Sequence, residues 1–171
     1  YYNAWIKKFP NIESVSKASE KDILKSWEGL GYYARCRNFH KAAKIVYKKH
    51  KSIIPSSWDV FRSLPGVGDY TAGAVLSIAY NKPYIALDGN VKRVMARMTA
   101  RKKLSSNNIK LIISTLNKWI DQNRPGDFNE AMMELGACIC TPRSPKCYDC
   151  PVNFFCRAYK NGNPLNYPKK I

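Results

Sequence analysis

Three groups of residues carry types and spacings that could do chemistry. Asp88 stands in Ala86-Leu87-Asp88-Gly89-Asn90-Val91-Lys92-Arg93-Val94, where a helical pattern begins. Asp is favoured at a helix N-cap on local chemistry alone. The same place keeps a carboxylate ionised, through accepted amide hydrogen bonds and the helix dipole. A fixed anion there can stabilise a developing cation, such as the oxocarbenium-like sugar left when a base departs. One residue can then be cap and catalyst together.

The second group is Cys140, Cys147, Cys150 and Cys156, with six, two and five residues between them. Four thiolates in one compact loop can hold a metal centre. Structural zinc sites usually pair two short Cys-x-x-Cys knuckles, and only one is present. By spacing, a [4Fe-4S] cluster is favoured and zinc stays open. Cys36 and Cys138 fall outside the pattern and are expected to be small buried apolar residues. The third group is Leu64-Pro65-Gly66-Val67-Gly68, a Gly-rich turn between two helical segments. Glycine lets a backbone approach a ligand closely. The amides of Val67, Gly68 and Asp69 precede a helix N-terminus, where donors and dipole favour a phosphate. Such an arrangement is a helix-hairpin-helix, a grip on a DNA backbone that reads no sequence.

The composition agrees with a polyanionic partner. Lys and Arg number 29 against 12 Asp and Glu, a formal net charge of +17 over 171 residues. The 45% hydrophobic content argues against general disorder. No acidic residue falls between Gly29 and Trp58 or between Gly89 and Ile120, and both stretches are rich in Lys and Arg. Clustered positive charge is rewarded at nucleic acid by counterion release, although a solvated lysine-rich face would look the same. No apolar run is long enough to span a bilayer, no signal peptide opens the chain, and six scattered cysteines do not make a secreted disulfide knot. The expected protein is soluble and intracellular, cytoplasmic or nucleoid-associated.

Helices joined by short turns must position these groups. Ser19 and Asp22 suggest a cap for a helix with Ile23, Leu24 and Trp27 inward and Gly29 as its stop. Ala34 to Lys49 reads helical, with Phe39, Ala42, Ala43 and Val46 on one face. A short helix follows Pro55-Ser56-Ser57 and runs to Leu64; Tyr70 to Tyr80 is apolar and small enough for a buried one. Asp88 to Met98 is the next, then a period through Ile109, Ile112, Ile113, Leu116 and Ile120. Asp127 and Glu130 read as a capping box before Ala131, Met132, Leu135 and Cys138. Period-two segments and internal repeats are absent, so the fold class is all-α with an irregular Cys-rich end.

Both motifs, in this order and separation, resemble the helix-hairpin-helix/Gly-Pro-Asp superfamily of DNA glycosylases, and within it the MutY-type adenine DNA glycosylases. The resemblance rests on Gly29-Leu30-Gly31-Tyr32-Tyr33-Ala34-Arg35, Leu64 to Ala72, Leu87 to Arg97, Phe128-Asn129-Glu130-Ala131-Met132-Met133-Glu134-Leu135-Gly136-Ala137 and the cysteine tetrad. It implies an all-α helix-hairpin-helix glycosylase core with a [4Fe-4S] cluster loop at the C-terminal end, held by Cys140, Cys147, Cys150 and Cys156. It implies a monofunctional enzyme of base-excision repair that flips adenine, mispaired with 8-oxoguanine or guanine, from duplex DNA and hydrolyses its N-glycosidic bond. Asp88 matches the aspartate that stabilises the oxocarbenium ion, and Asn90 a polar residue supporting it. Tyr70 stands where the bifunctional relative endonuclease III has its lysine nucleophile, and a phenol cannot form that Schiff base. Tyr32 matches a wedge inserted at the lesion, with Tyr33 as packing. Gly66, Val67, Gly68, Lys92 and Arg93 are the expected DNA contacts, Lys92 being near enough to trap an abasic product.

The resemblance also implies divisions and departures. Residues 1–100 would be the helix-hairpin-helix domain, 101–160 the cluster domain and 161–171 the start of a linker; the protein would act as a monomer on mismatched duplex DNA. The family's general-acid glutamate lies in a Gln-rich helix, and none of Glu13, Glu20, Glu28, Glu130 or Glu134 sits in that context. The expectation is therefore an internal fragment, impaired in excision, without the general-acid helix and the 8-oxoguanine-reading domain. The rival readings are a thymine- or uracil-mismatch glycosylase, a non-catalytic iron-sulfur mismatch-binding module, and a zinc-stapled DNA-binding domain.

Overall fold

The computed structural model describes residues 1–169, and among them every regular element is helical. No helix of this set is long and apolar enough to cross a membrane. Packing divides the chain into two compact units, Tyr1–Gly68 and Asp69–Ile171.

The first unit holds α1 (Tyr2–Lys8), α2 (Ile12–Lys17), α3 (Glu20–Ser26), α4 (Tyr33–Lys49) and α5 (Trp58–Arg62). The sequence pattern gave no sign of α1 and α2, which are short and aromatic or polar along most of their length. Local hydrogen bonding explains α2: Asn11 and Ser14 form a reciprocal capping box. At α3 the Ser19 hydroxyl accepts from the Asp22 N–H at 3.1 Å. Phe9, Val15, Ile23, Cys36 and Ala43 form the core, with Trp5, Ala18, Leu24 and Trp27 packed on it. Phe39 does not join them: it is 40% exposed and stacks its edge on Trp5. Cys36 is buried as expected, and burial pushes its thiol up.

His40 lies in this interior, and its Nε2 meets no hydrogen-bond partner. Burial, then the charge of Lys44, pulls its pKa below the usual 6.5. The unfolded chain therefore binds this proton more readily than the folded one, so stability is full above about pH 6.5 and falls as pH drops below it. Urea unfolding of the chain should show a falling midpoint between pH 7 and 5.5, and His40→Leu should flatten that slope. The Glu13 carboxyl, lowered by its bond to Lys17, titrates below this window.

The second unit holds α6 (Asp69–Tyr80), α7 (Gly89–Met98), α8 (Ser106–Trp119), α9 (Pro125–Glu134) and α10 (Arg157–Lys160). α6 packs on α9, and α7 on α8, α9 and α10. Val91, Met95, Ile112 and Leu116 form the core here, joined by Leu87, Phe128 and Met132. α8 starts one residue after Ser105, which caps it, and it turns Ile112 and Leu116 inward while Leu111 and Ile113 stay exposed. The expected Asp127–Glu130 capping box is not formed. α9 begins at Pro125, whose fixed φ suits a first helical position, and Asp127 lies inside the first turn, paired with Arg124. From Leu135 to Ile139 the helix widens into a π turn. Cys138 on that turn is exposed, against the expectation of burial, because the widened turn faces it outward. The tail is tied back: Lys169 N–H donates to Lys102 O at 2.9 Å, and Arg97 Nε to Tyr167 O at 3.0 Å. Lys170 and Ile171, the end of the expected linker, lie outside the described residues.

Candidate functional site

Asp88 is positioned from both sides in the chain. Before it, residues 81–88 run without regular structure from α6 to α7. Asn129 of α9, 2% exposed, holds this stretch: its Oδ1 accepts from Ala86 N–H at 3.0 Å, and its Nδ2 donates to Tyr84 O at 2.8 Å and Ser77 Oγ at 2.9 Å. Asn129→Ala would leave buried polar groups unsatisfied and should lower stability by about 2–3 kcal/mol, read as an earlier urea midpoint. After Asp88, α7 supplies the amide. Asp88 Oδ1 accepts from Val91 N–H at 2.7 Å and Oδ2 from Asn90 Nδ2 at 3.1 Å. The carboxylate is thus the N-cap, in extended backbone, with one donor on each oxygen.

Asn90 is held in turn. Its Oδ1 accepts from Arg93 Nη2 at 2.8 Å, and the same guanidinium donates to Gly136 O at 2.6 Å and Cys140 O at 2.9 Å. Gly136 allows the approach: a Cβ there would lie 2.6 Å from the Asn90 Cβ. Arg93, expected at DNA phosphates, therefore faces inward and links the Asp88 pair to the π turn. Burial draws its pKa down, opposed by the charges of Cys140 and Asp88. Lys92 is half-buried one residue earlier. Tyr70, 44% exposed on α6, donates its hydroxyl to Met133 Sδ at 3.7 Å.

In the first unit, Gly66 turns the chain with φ +78°, a conformation costly for other residues, and a Cβ there would strike Asn38 at 2.7 Å. Val67 is not a free donor: its N–H closes the turn on Leu64 O at 3.1 Å, and its own carbonyl accepts from Arg62 Nη1 at 3.0 Å. A Cβ on Gly68 would meet nothing within 4 Å, so its backbone stays open to an incoming group. Tyr32 starts α4 in the left-handed region, with φ 47°, and its ring is 83% exposed. Non-glycine residues hold that conformation at a cost and often where function needs it. The Arg35 guanidinium lies 5.8 Å from that ring and 5.4 Å from the Trp27 ring.

Cys140, Cys147, Cys150 and Cys156 all line one cavity. Burial pushes the Cys147 and Cys150 thiols up, and at Cys147 the other three cysteines push the same way. Neutral thiols packed together call for a cation to draw off their protons. Among the described residues, no three His, Cys, Asp or Glu close on a single metal ion. One zinc needs every sulfur about 2.3 Å from a common point; a polynuclear cluster separates its ligands by its own bulk. The donor set and the cavity therefore fit an iron-sulfur cluster. Sequence reasoning missed Arg97, which lines the same cavity at 3% exposure. In the sequence it counted only as one more basic residue of α7, and no signal set it apart.

Residues 1–124 match the family described as HhH-GPD superfamily base excision DNA repair protein. The chain belongs to that superfamily. Residues 140–156 match the iron-sulfur binding domain of endonuclease III, and the cofactor of this superfamily member is a [4Fe-4S] cluster. The chain is 42% identical to an adenine DNA glycosylase of Schizosaccharomyces pombe, with 98% of this chain and 38% of the relative covered. It is 40% identical to an adenine DNA glycosylase of Homo sapiens, over 92% of this chain and 30% of that one. The chain thus spans well under half the length of these two relatives. Among solved structures, a thermostable thymine-DNA glycosylase matches with TM-score 0.86 and 27% identity, covering 94% of this chain and 75% of the other. An endonuclease III trapped in a covalent intermediate with DNA matches with TM-score 0.80 and 26% identity, over the same shares.

Proposed function

We propose that this chain is the core of an adenine DNA glycosylase acting in base-excision repair, which removes adenine mispaired with 8-oxoguanine or guanine. The observation that carries the reading is the Asp88 carboxylate, fixed through both oxygens at the start of α7. On this reading adenine is extruded from the duplex and leaves as its N-glycosidic bond breaks. Asp88 faces the positive charge that grows on the sugar and stabilises it without moving, because its donors already hold it in place. Asn90 and Arg93 act as positioning residues for that carboxylate. Water completes the hydrolysis. Tyr70 offers no amine, so no Schiff base forms and strand cleavage is inefficient.

Duplex DNA is held by the Gly66–Gly68 turn through backbone approach, with Lys92 at a phosphate. Tyr32 is the wedge: its exposed ring and left-handed backbone support insertion into the stack. Cys140, Cys147, Cys150 and Cys156 hold the [4Fe-4S] cluster, which supplies a fixed structural and redox-capable centre when bound. By function, the chain divides near residue 100, with the DNA grip and Asp88 before it and the cluster loop after it. The protein acts as a monomer.

A thymine-specific enzyme is the second reading, favoured by the TM-score of 0.86 to a thymine-DNA glycosylase. Fold similarity carries little substrate information, whereas 40–42% identity favours adenine. Single-turnover assays of the full-length protein on duplexes with adenine opposite 8-oxoguanine and thymine opposite guanine decide it. Adenine release with no thymine release is expected; the reverse overturns the assignment. Duplex affinity should fall about tenfold or more between 50 and 200 mM salt, in proportion to the phosphates contacted. A flat salt response contradicts a backbone grip.

A further inference from the structure

Arg97 is a charge buried without a carboxylate. It is 3% exposed, in the middle of the second unit. Its Nε donates to Tyr167 O at 3.0 Å, and its Nη2 to Pro142 O at 3.2 Å. Its Nη1 donates to Thr141 O at 2.7 Å, Cys140 O at 3.1 Å and Cys140 Sγ at 3.3 Å. Carbonyl dipoles satisfy the donors, but they do not neutralise the charge. Burying a guanidinium costs several kcal/mol unless an anion lies close, and methionine-like packing would fill the space at lower cost. The groups that can supply that anion are the thiolates around the cavity it lines.

We propose that Arg97 is the counter-charge of the iron-sulfur cluster: it hydrogen-bonds the Cys140 thiolate, offsets the negative charge of the four-thiolate centre, and clasps loop 140–142 to the tail at Tyr167. The inference rests on the reading that these four cysteines hold the cluster. Two effects follow from one side chain. A donor aimed at a ligand sulfur, with a positive charge beside it, stabilises the reduced centre and raises its potential. The clasp at the same time slows escape of iron, since the loop cannot open while Arg97 holds both sides.

The experiment compares wild type with Arg97→Met and Arg97→Lys in the full chain, reading iron content, the rate of iron loss to a chelator, and the midpoint potential. Wild type without iron and without cluster absorbance fails the cluster reading itself. With wild type loaded, Arg97→Met should lose iron about 10- to 100-fold faster and shift its midpoint to lower potential. Arg97→Lys keeps the charge without the fork, so it should lose iron faster while its midpoint stays nearer wild type. Loaded variants whose midpoints equal wild type overturn the counter-charge, whatever their stability, since a packing role alone moves only iron loss. Should neither variant fold, 15N-arginine-labelled wild type answers instead. One guanidinium resonance displaced by the cluster and slow to exchange is expected, and its absence overturns the proposal.

Discussion

Asp88→Asn, made in the full-length protein, is expected to keep its fold and its duplex affinity while losing adenine release by about a thousandfold, the scale of removing one preorganised electrostatic group. The substitution separates two roles that share one residue. Asn is as good an N-cap as Asp, and its Oδ1 can still accept from Val91 N–H, so α7 should start where it does now. The negative charge alone is lost. A neutral amide cannot stabilise a cationic sugar, and with its oxygen kept on Val91 the amide sets an NH2 against the Asn90 NH2 where a carboxylate oxygen now accepts. Thermal unfolding should therefore move little while single-turnover excision collapses. Loss of both together would mean that the carboxylate is structural, and retained excision would mean that another group carries the chemistry.

Cys147→Ser is the second large effect. No residue from 140 to 156 is buried, so this loop has no apolar core and rests on turns, on the arginines of α7, and on whatever its four thiols hold. In such a loop, binding free energy is folding free energy. Replacing one sulfur should remove most of the cluster's absorbance at about 400 nm. It should also lower the Tm by about 10 °C, which for a chain of this size corresponds to a few kcal/mol. Because Arg93 joins the Cys140 carbonyl to Asn90, the Asp88 pair should feel the change, and excision should fall further than affinity. A colourless variant with an unchanged Tm would show that the loop stands by itself.

Much of this was legible in the sequence, and the parts that were not share a cause. Asp88 as a cap, Ser19 at a helix start, the extent of α4 and α6, and the cysteine set are local patterns, and local patterns survive in one dimension. Arg93 and Arg97 were not legible. By residue type they counted toward a basic surface of charge +17, yet both turn inward to carbonyls more than forty residues away. The same holds for Asn129, whose partners at Ser77, Tyr84 and Ala86 come from another part of the chain. The Asp127–Glu130 spacing imitated a capping box, but Pro125 had already fixed the helix start. Cys138 was misjudged because burial was inferred from residue type, and the π turn from Leu135 moves the face it would otherwise occupy.

The most direct measurement of the central claim compares duplexes carrying a cationic pyrrolidine or a neutral tetrahydrofuran in place of the target deoxyribose. If Asp88 meets positive charge at the sugar, wild type should bind the cationic duplex at least about tenfold more tightly, as differential binding of a transition-state mimic requires, and Asp88→Asn should bind both alike. An equal preference in the two proteins would contradict it.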